Sequence, residues 1–166
     1  MQVDAARLVR SLESKQLRVV FAESCTGGMI SAELAKIPGV SDWLCGSAVT
    51  YRYDTKSRWL GVRRDDLERF TAVSSQVANQ MAAGVLEQTP EAHISASVTG
   101  HLGPNAPPEQ DGLVFSSIAR RNENSAEIIV NHRFILESTE REDRQQEATR
   151  LVLQALLSVL NESGSE

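Results

Sequence analysis

A serine set between an apolar run and a pair of glycines is the first place to look for chemistry in this chain of 166 residues. Leu17-Arg-Val-Val-Phe-Ala22 is short, apolar and rich in β-branched and aromatic residues, and it reads as a buried strand. It gives way to Glu23-Ser-Cys-Thr-Gly-Gly28. A helical pattern then runs from Met29 to Ile37 and stops at Pro38-Gly39. Strand, glycine turn and helix open an α/β unit. The Thr26, Gly27 and Gly28 amides then lie at a helix N-terminus, where they and the helix dipole can hold an anion or a developing oxyanion. Ser24 has two readings there: a nucleophile leaving the strand, or a helix cap, a use it could share with Thr26 and the commoner one for such residues.

A hydroxyl nucleophile needs a base. The hydrolase elbow Gly-x-Ser-x-Gly is absent, since Glu23 and Cys25 flank the serine, and no serine has a lysine three residues on. His93 opens a strand, His132 lies within one and His101 sits in a proline-rich loop. Structural or incidental roles suit all three better than a metal site. Lysine usage says more. The chain has fourteen arginines but only Lys15, Lys36 and Lys56. Arginine cannot serve as a base, whereas a desolvated lysine loses its proton near neutral pH. Lys56 falls just past the second expected strand, where the alternative is a solvated lysine on a helix surface. Cys25 reads as a small buried residue before it reads as a thiol nucleophile. Neither a G-x-G-x-x-G nor a G-K-[ST] fingerprint is present.

The remaining elements must position these groups. Asp4 can cap a first helix with Leu8, Val9 and Leu12 on one face. A second strand is expected over Leu44 to Tyr51, a short helix from Thr55 to Leu60, and a helical turn or two from Asp65 to Phe70. Ser74 can cap a helix reaching Glu87, with Val77, Met81 and Val85 on one face. His93 to Thr99 reads as a strand and Gly100 to Gly112 as a loop holding Pro104, Pro107 and Pro108. Leu113 to Ala119 and Ile128 to Leu136 read as a hairpin joined across 122–124. A last helix from Glu140 to Leu160 places Ala148, Leu151, Val152, Ala155, Leu156 and Val159 on one stripe, widened by Leu153, Leu157 and Leu160. So wide a face is buried deeply or covered by another subunit, and a homo-oligomer is the expectation. Residues 162–166 should fray. The pattern predicts one α/β domain over 1–166, three layers deep, with a mostly parallel or mixed sheet of about five strands. In such sheets ligands sit beyond the carboxyl ends of strands, which points to Ser24, to Tyr51 through Lys56, and to the loop opening at Thr99.

Composition narrows the partners. The formal charge of −5 and a pI near 5.3 argue against a nucleic-acid surface. Two cysteines, Cys25 and Cys45, make neither a disulfide scaffold nor a metal spacing. Asp4 and Arg7 stand where a signal peptide needs an apolar stretch, and no apolar run reaches membrane-spanning length. A cytoplasmic protein with neither nucleic-acid nor membrane partners is the expectation.

Taken together, these segments resemble a known family. Glu23-Ser-Cys-Thr-Gly-Gly28 resembles the E-S-C-T-G-G hallmark of the CinA carboxy-terminal domain family. Val49-Thr-Tyr51 followed by Lys56 is similar to its V-T-Y-x-x-x-x-K segment, and Leu60-Gly-Val62 continues it. Ala72-Val-Ser74 is similar to its helix-starting A-V-S. Val98-Thr-Gly100 with Gly103-Pro104 resembles its S/T-G-x-x-G-P loop. Order and spacing agree from about residue 4 to 160. The resemblance implies a three-layer α/β fold and an amidohydrolase that deamidates nicotinamide mononucleotide to nicotinate mononucleotide and ammonia, without metal or cofactor. It also implies a stand-alone form, because longer members carry a nucleotide-pyrophosphatase domain upstream. By motif, the nucleophile is Ser24, its base Lys56 and the assisting residue Tyr51. Thr26, Gly27 and Gly28 would supply oxyanion or ligand donors, with Thr99 and Gly100 lining the site around a pyridine nucleotide.

The chain also departs from that pattern. Arg52-Tyr53 follows the tyrosine in place of Ser-Asn. Asn105-Ala-Pro-Pro-Glu-Gln-Asp-Gly112 replaces a glycine pair and a later Lys-Pro-Val-Gly. The family's G-D-R with a second arginine four residues on stands here as Thr139-Glu-Arg141, then Gln145, with Arg144 out of register. Arg141 is therefore an expected substrate-binding residue, and the altered segments are candidates for ribose or phosphate contacts. A hydrolase of another small amide, or a binding module without turnover, are the alternatives these changes raise.

Overall fold

The computed structural model describes residues 2–123 and 125–162. Its centre is β1 (Val19–Glu23), buried at every position as a strand covered on both faces must be. Alternation sends Val19 and Phe21 to one face and Val20 and Ala22 to the other. The chain enters through α1 (Gln2–Lys15), which starts before the expected cap. Asp4 lies inside its first turn, placing an acid near the positive end of the helix dipole instead of capping it.

After β1 come α2 (Met29–Ala35), a short 3-10 turn at Val40–Asp42, and β2 (Leu44–Val49), which ends two residues sooner than the sequence suggests. Next are α3 (Tyr53–Leu60), α4 (Arg64–Phe70), α5 (Ser75–Glu87) and β3 (Ile94–Gly100). A second 3-10 turn at Pro108–Gln110 precedes β4 (Leu113–Arg121), β5 (Ala126–Ile135) and α6 (Arg141–Glu162). Ser74 caps α5 as its position predicts, accepting from the Val77 amide at 3.3 Å. Of the connection between β4 and β5, Asn124 is outside the described residues. So are residues 163–166 of the tail expected to fray.

The five strands form one mixed sheet in the order β2-β1-β3-β4-β5. β1 pairs parallel with β2 and with β3, whereas β3–β4 and β4–β5 are antiparallel. Because β2 and β3 flank β1 on opposite sides, the chain leaves β1 in one direction and returns on the other. The resulting crevice lies past the carboxyl end of β1, where Ser24 begins.

One face of the sheet packs on α1, α2 and α6 through Leu8, Leu12, Phe21, Ile30, Leu34, Val152 and Leu156. The other packs on α3, α4 and α5 through Val20, Leu60, Leu67, Val77, Met81 and Val85. This is the three-layer α/β/α architecture. Of the wide apolar stripe of α6, Ala148, Val152, Leu153, Ala155, Leu156 and Leu160 are buried in the first core, which α1 and α2 share, whereas Leu151, Leu157 and Val159 are only partly buried. Exposed large apolar side chains lie around the β2 edge, at Val49, Tyr51, Tyr53 and Trp59, and on the opposite edge strand β5, at Ile129 and Ile135. Among the described residues no helix is long and apolar enough to cross a membrane.

Candidate active site

The turn after β1 is organised by Glu23, a residue whose role the sequence reading missed. Its side chain is fully buried and points under α2. There Oε2 accepts from the Thr26 hydroxyl at 2.7 Å and the Gly28 and Ile30 amides at 3.0 and 3.1 Å. Oε1 accepts from the Ser31 amide at 3.0 Å and the Ser47 hydroxyl at 2.9 Å. Five donors on one carboxyl satisfy the open amides of α2, bind β2 and fix the strand-to-helix turn. An acid closing an apolar strand just before a helix was the available signal.

Neither Ser24 nor Thr26 caps α2: its N-cap is Gly28, without a side-chain cap bond, and Glu23 supplies the acceptors. The amides expected to face a ligand are also largely committed. That of Gly27 donates to the Ser24 carbonyl at 3.0 Å and that of Gly28 to Glu23. Thr26, Gly27 and Gly28 do not line the cavity described below. Among the described residues the Cys25 amide donates to no other residue, and Cys25 does line it.

With Glu23 beneath α2, Ser24 turns to the opposite face, toward α3. That helix begins after only three residues, 50–52, past the end of β2, where Thr55 Oγ1 accepts from the Arg52 amide at 3.2 Å and donates to the Arg52 carbonyl at 3.0 Å. Lys56, one turn in, is carried inward and left 1% exposed. Its Nζ donates to Ser24 Oγ at 2.8 Å and to the Thr50 carbonyl at 2.6 Å. Burial lowers the Lys56 ammonium from its ordinary 10.5 to about 8, because the charged form loses its water. The reading of Lys56 as a solvated surface lysine therefore fails. The Thr50 carbonyl holds the amine toward the serine, and a backbone acceptor has no signature in sequence. Burial pushes the adjacent Cys25 thiol up to about 12, which keeps it from being a thiolate.

These residues open into a cavity of about 220 Å³ that Tyr51, Thr99, Gly100, His101 and Arg141 also line, with Leu102 to Ala106 forming one wall. Thr99 Oγ1 donates to the Ala72 carbonyl at 2.8 Å. The Tyr51 hydroxyl accepts from Arg141 Nη2 at 2.8 Å, and neither Ser24 nor Lys56 bonds to it. Arg141 also donates to the Gly103 carbonyl. Of the altered segments, Asn105 and Ala106 reach the cavity, whereas Arg52 and Tyr53 do not. Tyr53 instead accepts from the Ala72 amide at 3.3 Å.

The other histidines are structural: His93 Nδ1 accepts from the Arg18 amide at 2.9 Å, and His132 stacks on Phe134. Among the described residues no group of three or more His, Cys, Asp or Glu could hold a metal. The structure thus brings Ser24, Lys56, Tyr51, Thr99, Gly100 and Arg141 to one cavity and leaves Thr26, Gly27 and Gly28 behind its wall.

Known proteins share this fold. The chain is 43% identical over 120 residues to a CinA-like protein of Dictyoglomus thermophilum, a match covering 71% of this chain and 29% of that relative. It therefore spans less than a third of the length of that relative. Among solved structures, the competence/damage inducible protein CihA of Agrobacterium tumefaciens is 34% identical with a TM-score of 0.88, covering 96% of this chain and 94% of that one. A CinA superfamily protein of Klebsiella pneumoniae is 26% identical with the same TM-score of 0.88, covering 97% and 98%. The family description that matches residues 2–160 is CinA C-terminal domain, and this chain belongs to that family.

Proposed function

We propose that this protein is an amidohydrolase that converts nicotinamide mononucleotide to nicotinate mononucleotide and ammonia, with Ser24 as nucleophile and Lys56 as base. The observation that carries the reading is the buried bond of 2.8 Å between Lys56 Nζ and Ser24 Oγ. Neutral Lys56 keeps an N–H on the Thr50 carbonyl and turns its lone pair to the serine hydroxyl. It takes the Oγ proton as Oγ attacks the carboxamide carbon. Backbone amides of the turn after Ser24 are the donors available to the oxyanion, and those of Cys25 and Thr26 donate to no other residue among the described residues. Collapse breaks the C–N bond, and the Lys56 ammonium returns its proton to the leaving nitrogen, releasing ammonia. Water, deprotonated by Lys56 in turn, hydrolyses the ester and restores Ser24.

The substrate assignment rests on the motif resemblance and on the charge of the cavity. Arg141 and His101 line it and no Asp or Glu does, in a chain whose net charge is −5. That polarity favours an anionic ligand such as a nucleoside monophosphate. The test is ammonia release from nicotinamide mononucleotide by the wild type and by Ser24→Ala, Lys56→Arg and Cys25→Ala. Ser24→Ala and Lys56→Arg should each lose at least about a thousandfold in kcat, since guanidinium cannot accept the proton. Cys25→Ala should keep most turnover. Undiminished release by Ser24→Ala refutes the nucleophile, and release from another amide alone moves the substrate.

A further inference from the structure

The first turns of α6 reach three separate parts of the site. Arg141 holds Tyr51 and Gly103, and Gln145 Nε2 donates to the Thr26 carbonyl at 2.9 Å, behind the nucleophile. Arg144, which does not line the cavity, does something different. Its Nη1 and Nη2 donate to Asp111 Oδ1 and Oδ2, both at 2.7 Å, and its Nε to the Ser138 carbonyl at 2.7 Å. The Arg144 side chain is 8% exposed and that of Asp111 45%. The guanidinium also fills the space beside the two ends of the loop. A Cβ on Gly103 would stand 2.9 Å from Nη1, and one on Gly112 3.6 Å from Nη2.

That loop is the cavity wall from His101 to Ala106. Its base is tied by backbone bonds between His101 and Leu113 and between Gly112 and His101, and by His101 Nε2 with Gln110 Oε1 at 3.0 Å. From Gly103 to Glu109 the bonds to the rest of the fold among the described residues reduce to Arg141 on the Gly103 carbonyl. Among the described residues, the fork from Arg144 to Asp111 is the one side-chain ion pair fastening the loop to α6. The Ser24–Lys56 pair is held independently, by β1, the end of β2 and α3.

We infer that Arg144 is a positioning residue: acting through Asp111, it latches the 101–112 loop against α6 and so sets how tightly the cavity holds its substrate, without touching the nucleophile or the base. The inference rests on the amidohydrolase reading for its kinetic part. The bidentate fork matches a planar carboxylate, and a neutral partner removes both charge-assisted bonds.

The experiment compares wild type, Arg144→Met, Asp111→Asn and the double variant in two assays. One is steady-state ammonia release from nicotinamide mononucleotide across pH; the other is hydrogen exchange of residues 101–112. Each single variant should raise KM about tenfold while kcat stays within about threefold. The rate midpoint set by Lys56 should stay near 8. Exchange in the loop should quicken, and the double variant should be no worse than Arg144→Met, because both changes break one interaction. Loop exchange as slow in Asp111→Asn as in the wild type overturns the inference. So does a fall in kcat at constant KM, or strict additivity of the two changes. Asp111→Asn, at a half-exposed side chain, decides the question where Arg144→Met does not fold. A wild type that releases no ammonia refutes the amidohydrolase reading, and the exchange comparison then judges the latch alone.

Discussion

Replacing Lys56 with methionine removes one titrating group from the interior while keeping an unbranched chain of similar length, so its pH signature can be read by difference. In the folded protein the ammonium titrates at about 8, against an ordinary value of 10.5. The folded value lies below the unfolded one. Between those two pH values the unfolded chain holds a proton that the folded chain has released, so wild-type stability rises with pH through that window. The gain is complete above 10.5 and is lost as pH falls toward 8. At about 1.4 kcal/mol per pH unit, the interval from about 8 to 10.5 amounts to roughly 3 kcal/mol. Urea unfolding of wild type and Lys56→Met across this window gives the measurement as the difference in stability. Lys15 and Lys36 occur in both chains and cancel in that difference. The wild type should gain roughly 3 kcal/mol on the variant as pH rises. In the kinetics, log kcat/KM should climb below about 8 and level off above it, as free-base Lys56 accumulates. A stability difference flat with pH would mean that Lys56 titrates like a solvated lysine, and the argument for a neutral base at working pH would collapse.

Two further predictions concern how the pair is held. Glu23→Gln sets an amide nitrogen among five donors, and should cost roughly 2–4 kcal/mol in denaturant unfolding and lower kcat. An equally stable variant would show that the turn does not depend on Glu23. Gly84→Ala should cost roughly 1–3 kcal/mol, because a Cβ there would stand 1.9 Å from the Leu60 carbonyl oxygen at the end of the helix that carries Lys56. A thermal midpoint equal to the wild type's would show that α3 and α5 can separate freely.

The amino-acid sequence determined the layers and the order of elements by itself. The unbroken apolar run of β1, the period of α5 around Val77, Met81 and Val85, and the Ser74 cap are local patterns, and each became the expected element. Sequence also isolated Lys56 as one of three lysines and placed Ser24 at the end of a strand. Helix starts were less legible: Asp4 fell inside α1, because an acid favours a first turn as much as a cap. Only the tertiary structure decided what Ser24, Glu23 and Lys56 do. Side-chain alternation at the end of β1 sends Glu23 under α2 and frees Ser24 from capping, and the start of α3 then turns Lys56 inward until burial lowers its proton affinity. Desolvation is a property of everything packed around a group, which a linear motif does not contain. The same holds for the amides of Gly27 and Gly28, free by position but consumed by the Ser24 carbonyl and by Glu23. It holds for Arg144 as well, whose partner Asp111 lies 33 residues away and meets it only because the loop after β3 folds back onto α6.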